Sequence, residues 1–312
     1  MLQAFRSKTL GNLFKLVVSG TLVTWVLTRW NLAEARSILG LVHWSVPAAG
    51  VFFLILSQLL GARRWQMVLA LLDIRLGYLR CAKLTFRGFF ASNFLPTTIG
   101  GDAVKVGTLA FEGHKITLLA TSIMVDRLLN LVAIASLLPA LFWLPQLPSA
   151  RILLISLVLI LFGGAVLLAA GHKIVQSSKR LFRFFSEVWQ SIGHIWSCSI
   201  SHPRTLLWAA GLSWLSVLSG VLTTWIAALG LGIRTSFLEV VAVVAVFYFI
   251  GLVPVSINGL GVQDAGLIVM FSSLNVSDGQ ALALAILIRL LTVAVGLIGA
   301  LELAMPRSVR YQ

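Results

Sequence analysis

The feature that most constrains this chain is the length of its apolar blocks. Six predominantly apolar segments, 13–28, 44–60, 117–143, 151–170, 205–229 and 279–303, run 16 to 27 residues each and are separated by short basic stretches. At 1.5 Å rise per residue, about 20 helical residues cross the roughly 30 Å of hydrocarbon in a bilayer. Charged residues make up 11% of the 312-residue chain, against about a quarter in a soluble domain. The expected fold is therefore all-α: a polytopic helical membrane protein forming one integral membrane domain over residues 1–312, with no polar stretch long enough for a second, soluble unit.

The first block invites a second reading. Arg6, Lys8 and Lys15 precede an apolar run from Leu16 to Leu27, and Ala33-Glu34-Ala35 resembles a signal-peptide cleavage site. Its distance past the run, and Trp25 and Trp30 as interfacial anchors, favour a retained span.

Two further apolar regions, 84–111 and 237–274, are broken near their middles by Pro and Gly. Each can be a hairpin of two short helices dipping into the membrane or a pair of complete crossings. Either choice returns the chain to the side it left, so orientation can be argued regardless. Basic residues concentrate in 61–87 (Arg63, Arg64, Arg75, Arg80, Lys83, Arg87), in 171–204 (Lys173, Lys179, Arg180, Arg183, Arg204) and in the tail (Arg307, Arg310). With a cytoplasmic N-terminus, six spans put all three regions inside and leave Arg29, Arg36, Arg151 and Arg234 outside, as the positive-inside rule requires. Both termini are then cytoplasmic. The net charge of +14 is topological in this reading, with a secondary attraction to anionic lipid, and nucleic-acid binding is not expected. Segment 174–197 mixes apolar and basic residues in the manner of a helix lying on the inner surface. Cys81 and Cys198 form no disulfide framework, and the five scattered histidines have no metal-ligand spacing. No cofactor is implied.

The two broken regions resemble each other. Aligning Pro96 with Pro254 gives Pro-x-(Thr/Ser)-Ile-(Gly/Asn)-Gly in both, covering Thr98, Gly100 and Gly101 in one copy and Ser256, Asn258 and Gly259 in the other. An aromatic-rich run precedes each, and an Arg-Leu-Leu follows each at Arg127 and Arg289. The Pro-to-Arg separations are 31 and 35 residues. Three full spans separate the copies, so they are entered from opposite sides, which predicts an inverted repeat with cores at 84–130 and 237–292. Pro and Gly unwind the backbone there, and unwound backbone at membrane depth survives only where protein buries it or a cavity faces it.

Six charged residues fall in or beside the apolar segments: Asp102, Lys105, Asp126, Arg127, Asp264 and Arg289. Each costs about 2.5–3.5 kcal/mol at mid-bilayer on insertion scales, so compensation is expected. Three acids and three bases suit a neutral buried cluster. Ser122, Asp126 and Asn130 share one helical face, whereas Arg127 is offset by about 100°, so the adjacent charges must find partners on different helices. Arg289, Thr292, Gly296 and Gly299 form a second polar, small-residue face suited to close packing. One reading has these ion pairs only locking the bundle. The other has Lys105, Arg127 and Arg289 presenting positive charge to a phosphate, helped by backbone N–H groups after Pro96 and Pro254.

The stretch Arg63-Arg64-Trp65, the run from Phe89-Phe90 through Asn93, Pro96, Thr98 and Gly100-Gly101-Asp102 to Lys105, and Asp126-Arg127 together resemble the transmembrane domain of lysylphosphatidylglycerol synthases. That domain also occurs alone in bacterial and archaeal flippase-like proteins. Pro254, Ser256, Asn258, Gly259, Gly261 and Asp264 resemble the family's second Pro/Gly motif. The likeness covers about residues 45–303. The family often has Gly where Asn258 stands and Arg-Glu where Gln263-Asp264 stands; the exchange shortens the acid and removes a positive charge. The resemblance implies movement of a phospholipid or polyprenyl-phosphate-linked lipid across a bacterial cytoplasmic membrane, with these motif residues, Lys105, Asp126, Arg127 and Arg289 lining its path. The synthases' aminoacyltransferase domain is absent, so no synthesis of lysyl-lipid, and no enzymatic activity, is expected. The alternatives are a membrane glycosyl- or lipid-transferase using Asp102 or Asp126 as base, and a non-transporting partner of an envelope-synthesis enzyme.

Overall fold

The structure, a computed structural model, describes residues 32–94, 100–143, 190, 203–252 and 259–304. Nine α-helices form there: α1 (Leu32–Gly40), α2 (Ser45–Ala70), α3 (Tyr78–Phe94), α4 (Gly100–Phe111), α5 (Ile116–Ala135), α6 (Pro203–Gly230), α7 (Phe237–Leu252), α8 (Val262–Ser272) and α9 (Asp278–Ala304), with a 3-10 helix at Leu138–Trp143 after α5. No strand occurs among the described residues. The expected spans 13–28 and 151–170 and, apart from Gln190, the surface segment 174–197 lie outside the described residues. So do Pro96, Thr98, Pro254, Ser256 and Asn258.

Among the described residues, four stretches are long and apolar enough to cross a membrane: Ser45–Ala70, Ile116–Leu141, Pro203–Gly230 and Asp278–Glu302. They coincide with the four expected full spans that fall in the described region. The first, however, extends ten residues beyond the expected end at 60, so Arg63, Arg64 and Trp65 are helical and not part of a loop. Pro47 is tolerated in α2 because the first turn has backbone N–H groups with no intrahelical acceptor in any case. Helix α4 stops where Gly113 takes φ +94° and the His114 N–H reaches back to the Leu109 carbonyl at 3.1 Å, a left-handed C-terminal cap.

The broken regions resolve into helix pairs, α3 with α4 and α7 with α8, each pair packed together. Helices α4 and α8 have 12 and 11 residues, or about 18 and 16 Å of rise, too short to cross 30 Å of hydrocarbon. The order long, short, short, long thus occurs twice, as α2–α5 and α6–α9. Side-chain contacts fix where each pair opens. Arg80 at the start of α3 pairs with Glu112 just past α4, and Lys83 and Arg87 of α3 pair with Glu302 at the end of α9. Near the other end of α2, Val46 sits against Gly230 at the end of α6, and Gln280 of α9 donates to the Leu231 carbonyl at 3.4 Å. The α3–α4 pair therefore opens beside the C-terminal end of α2, and the α7–α8 pair opens beside its N-terminal end.

Helices α2 and α6 cross through small hydroxylated residues: Ser57 and Ser216 exchange hydrogen bonds at 3.0–3.1 Å. Small residues let helix backbones approach where lipid offers no hydrophobic force to press them together. The Gly296–Gly299 face of α9 packs on α3 as its composition predicts; a β-carbon at Gly299 would collide with the Phe86 carbonyl. Large apolar side chains such as Phe52, Leu128, Val132, Trp208 and Leu297 stay exposed on the outside, which suits a surface solvated by lipid tails.

Candidate functional site

A cavity of about 410 Å³ lies among α2–α9 and takes lining residues from both sets of four helices. It falls within the range of about 300–1,000 Å³ usual for small-molecule sites. Among the described residues five charged side chains line it: Arg64, Lys105, Asp126, Asp264 and Arg289. Asn93, Asn130, Ser57, Gln58, Thr223 and Gln263 are among its polar lining.

The centre of the first half is Arg64, only 6% exposed. Its Nε donates to Asp126 Oδ1 at 2.6 Å and one Nη to Asp126 Oδ2 at 3.0 Å. The other Nη donates to Asn130 Oδ1 at 3.1 Å and Ser213 Oγ at 3.2 Å. The neighbouring Trp65 Nε1 donates to Ser122 Oγ at 3.1 Å. The Ser122–Asp126–Asn130 face of α5 is thus satisfied along its length by α2, and a two-pronged guanidinium–carboxylate contact is the geometry that makes a buried ion pair tolerable. Reading Arg64 as a juxtamembrane loop charge missed this. The available signal was the resemblance of Arg63-Arg64-Trp65 to a family motif combined with the acidic face of α5.

Asp126 and Arg127 do face different partners. Arg127 Nε donates to Asp102 Oδ2 at 2.7 Å, and an Nη bonds the same oxygen. In the second half an Arg289 Nη donates to both oxygens of Asp264 at 2.8 and 2.9 Å. Both acids stand in the first turn of the short second helix of their pair, where the helix N-terminus favours negative charge. Asp264 also accepts the Gly261 N–H at 3.0 Å.

The two acid–arginine separations are identical, 25 residues each. A shift of 162 residues carries Asp102 onto Asp264 and Arg127 onto Arg289. The four-residue mismatch in the proline alignment therefore falls between Pro254 and Asp264. That stretch includes Gly259 and Gly261, both at positive φ (+72° and +80°), where glycine is the residue without a steric penalty. In the first half, Gly101 instead permits a close approach: a β-carbon there would collide with the Gly88 carbonyl and Ser92 Oγ.

The expected single neutral cluster of six charges is not what forms. Asp102 and Arg127 do not line this cavity, and the Arg127 side chain is half exposed. Arg64 joins the set instead. Gly100 and Gly101 are buried at the start of α4, and Gly259 and Gly261 form the buried turn before α8. Lys105 does line the cavity, its Nζ 4.9 Å from the centroid of the Trp65 ring, a cation–π distance. Among the described residues no carboxylate pairs with it.

Long apolar helices around a charged, partly buried cavity define a polytopic integral membrane protein. The lysylphosphatidylglycerol synthase TM region family matches residues 12–300, and the chain belongs to that family. The match begins well before the motif-bearing region and includes the expected first span. A search of the curated proteins gave no match.

Proposed function

We propose that this protein binds the head group of a phospholipid or polyprenyl-phosphate-linked lipid in its central cavity and carries it between leaflets without chemically altering it. The observation that carries the reading is the cavity itself: it draws charged and polar residues from both four-helix halves of a chain whose family is tied to a lipid synthase. In this reading the halves are an inverted repeat and α3–α4 and α7–α8 are re-entrant pairs. Their opening beside opposite ends of α2 and the lengths of α4 and α8 support both points. The Asp264–Arg289 pair faces the cavity while the Asp102–Arg127 pair does not, and alternating access exchanges those roles. The protein resides in a bacterial cytoplasmic membrane with both termini in the cytoplasm, in keeping with its charge placement. The two acids that a transferase would use as base, Asp102 and Asp126, are both held by arginine, which supports transport over catalysis.

The test is reconstitution into vesicles carrying a fluorescent phospholipid or polyprenyl-phosphate lipid in one leaflet, with chemical quenching of the outer leaflet over time. Protein-dependent equilibration is expected. Equal rates with and without folded protein, for every lipid of both classes, would sink the reading.

A further inference from the structure

The charges of the cavity are not equivalent, and their pairing specifies the head group. Arg64 is held by Asp126, Asn130 and Ser213 through four of its five N–H donors. Arg289 lies against both oxygens of Asp264. Each lining carboxylate therefore has both oxygens engaged by a guanidinium. Among the described residues Lys105 is the remaining lining charge, and it leaves their sum one positive charge in excess. Its ammonium keeps only the Trp65 ring as a charge-stabilising neighbour among the described residues. Thr85, 6% exposed, also lines the cavity, and its buried hydroxyl has no hydrogen-bond partner there among the described residues. Thr223 and Thr224 donate their own protons to the Ser219 and Gly220 carbonyls at 3.0 and 3.2 Å. What those two present to the cavity is acceptor oxygen, suited to a ligand rich in hydroxyl donors.

We infer that the cavity selects a lipid with a single negative charge, a phosphodiester carrying an uncharged polyol, and discriminates against head groups bearing an ammonium. The phosphate meets Lys105 and the Thr85 hydroxyl, and the polyol meets the threonine and glutamine walls. An ammonium finds no free carboxylate among the described lining residues to replace its water, and desolvating a cation without a partner is costly. A cavity of this volume holds a head group and leaves the hydrocarbon chains in the membrane. A glycerol phosphodiester on a diacyl lipid and a sugar phosphodiester on a polyprenyl chain share this chemistry. The inference rests on the proposed lipid-binding function and adds charge selection to it.

The experiment measures binding of short-chain lipids to the purified full-length protein in neutral detergent, by titration and thermal stabilisation. The probes are dioctanoyl phosphatidylglycerol, a short polyprenyl phosphohexose, dioctanoyl phosphatidylethanolamine and phosphatidylcholine, and dioctanoyl lysylphosphatidylglycerol. At least one of the first two is expected to saturate. The three ammonium-bearing lipids are expected to bind about tenfold more weakly or worse, and Lys105→Gln to lower the affinity of the anionic lipid about tenfold, the loss of one charge-assisted contact. Lys105→Arg retains the ranking. Equal affinity for lysylphosphatidylglycerol and phosphatidylglycerol overturns the inference, as does full affinity in Lys105→Gln. Should that variant fail to fold, the wild-type ranking decides alone. Binding without charge ranking sinks the selectivity and spares the lipid-binding function; binding of no lipid at all sinks both.

Discussion

The two halves of the molecule carry the same acid–arginine frame on different surroundings. Under the 162-residue shift, Asp102–Arg127 matches Asp264–Arg289, yet Lys105 matches Leu267, Asp126 matches Ile288, Asn130 matches Thr292 and Gly101 matches Gln263. The second member of each of these pairs lines the cavity. The first half thus supplies a cation and a buried guanidinium–carboxylate pair where the second supplies aliphatic side chains. The frame common to both holds the start of each short helix against the following long one. What differs is polarity at the matched positions: the second half keeps its Asp264–Arg289 pair in the cavity but sets Leu267 and Ile288 where the first half has Lys105 and Asp126, so the lining is asymmetric.

The deepest break in this comparison comes from the pair that only the first half has. Arg64→Met or Asp126→Asn leaves the other member buried and uncompensated, and is expected to cost about 3–5 kcal/mol, read as a large fall in the thermal unfolding temperature in detergent and in the yield of folded protein. The double variant Arg64→Met/Asp126→Leu, which imitates the aliphatic second half, should recover part of that loss. If the single variants unfold like wild type, the pair is not what joins α2 to α5.

Next in size is Asp264→Asn, which removes the carboxylate charge facing Arg289 in the cavity. A hydrogen bond to a charged group contributes about 1.5–3 kcal/mol, so a clear drop in unfolding temperature is expected, together with altered head-group binding as the cavity gains a charge. Gly101→Ala tests the close crossing of α3 and α4. Its β-carbon meets backbone, which cannot swing aside, and overpacking of this kind costs about 1–3 kcal/mol. Gln263→Ala at the matching site in the second half removes side chain and should cost less than Gly101→Ala in the same unfolding assay. The smallest stability effect belongs to Asp102→Asn. Its partner Arg127 is half exposed and its long side chain can carry the guanidinium toward the membrane surface, so a smaller loss than for Asp264→Asn is expected. Under alternating access the same variant still slows leaflet equilibration while leaving head-group affinity intact. A stability loss as large as that of Asp264→Asn would mean that the two pairs carry equal structural load.

Much of the architecture was legible along the chain. The four long spans in the described region, the two broken pairs and the face of α5 followed from apolar length, Pro/Gly interruption and the four-residue period of Ser122, Asp126 and Asn130. So did the separate partners of Asp126 and Arg127, because a 100° offset between neighbours is a property of the helix itself. These features are local, set by bonds and hydrogen bonds within a few residues, or by the thickness of a bilayer acting on any sequence alike.

The partners were a different matter. Arg64 sits in a basic stretch at the end of an apolar block, where composition alone makes it a cytoplasmic loop charge. Only packing shows that α2 continues to Ala70 and turns Arg64 inward to a carboxylate 62 residues away. In the same way, six intramembrane charges suggested one neutral cluster, and the tertiary structure instead placed Asp102 and Arg127 off the cavity and left Lys105 inside it with an aromatic neighbour. The sequence by itself determined that these charges must be compensated, because hydrocarbon penalises each of them. Which charge compensates which, and which one has no carboxylate beside it among the described residues, depends on the approach of helices far apart in the chain, and only the assembled bundle decides that.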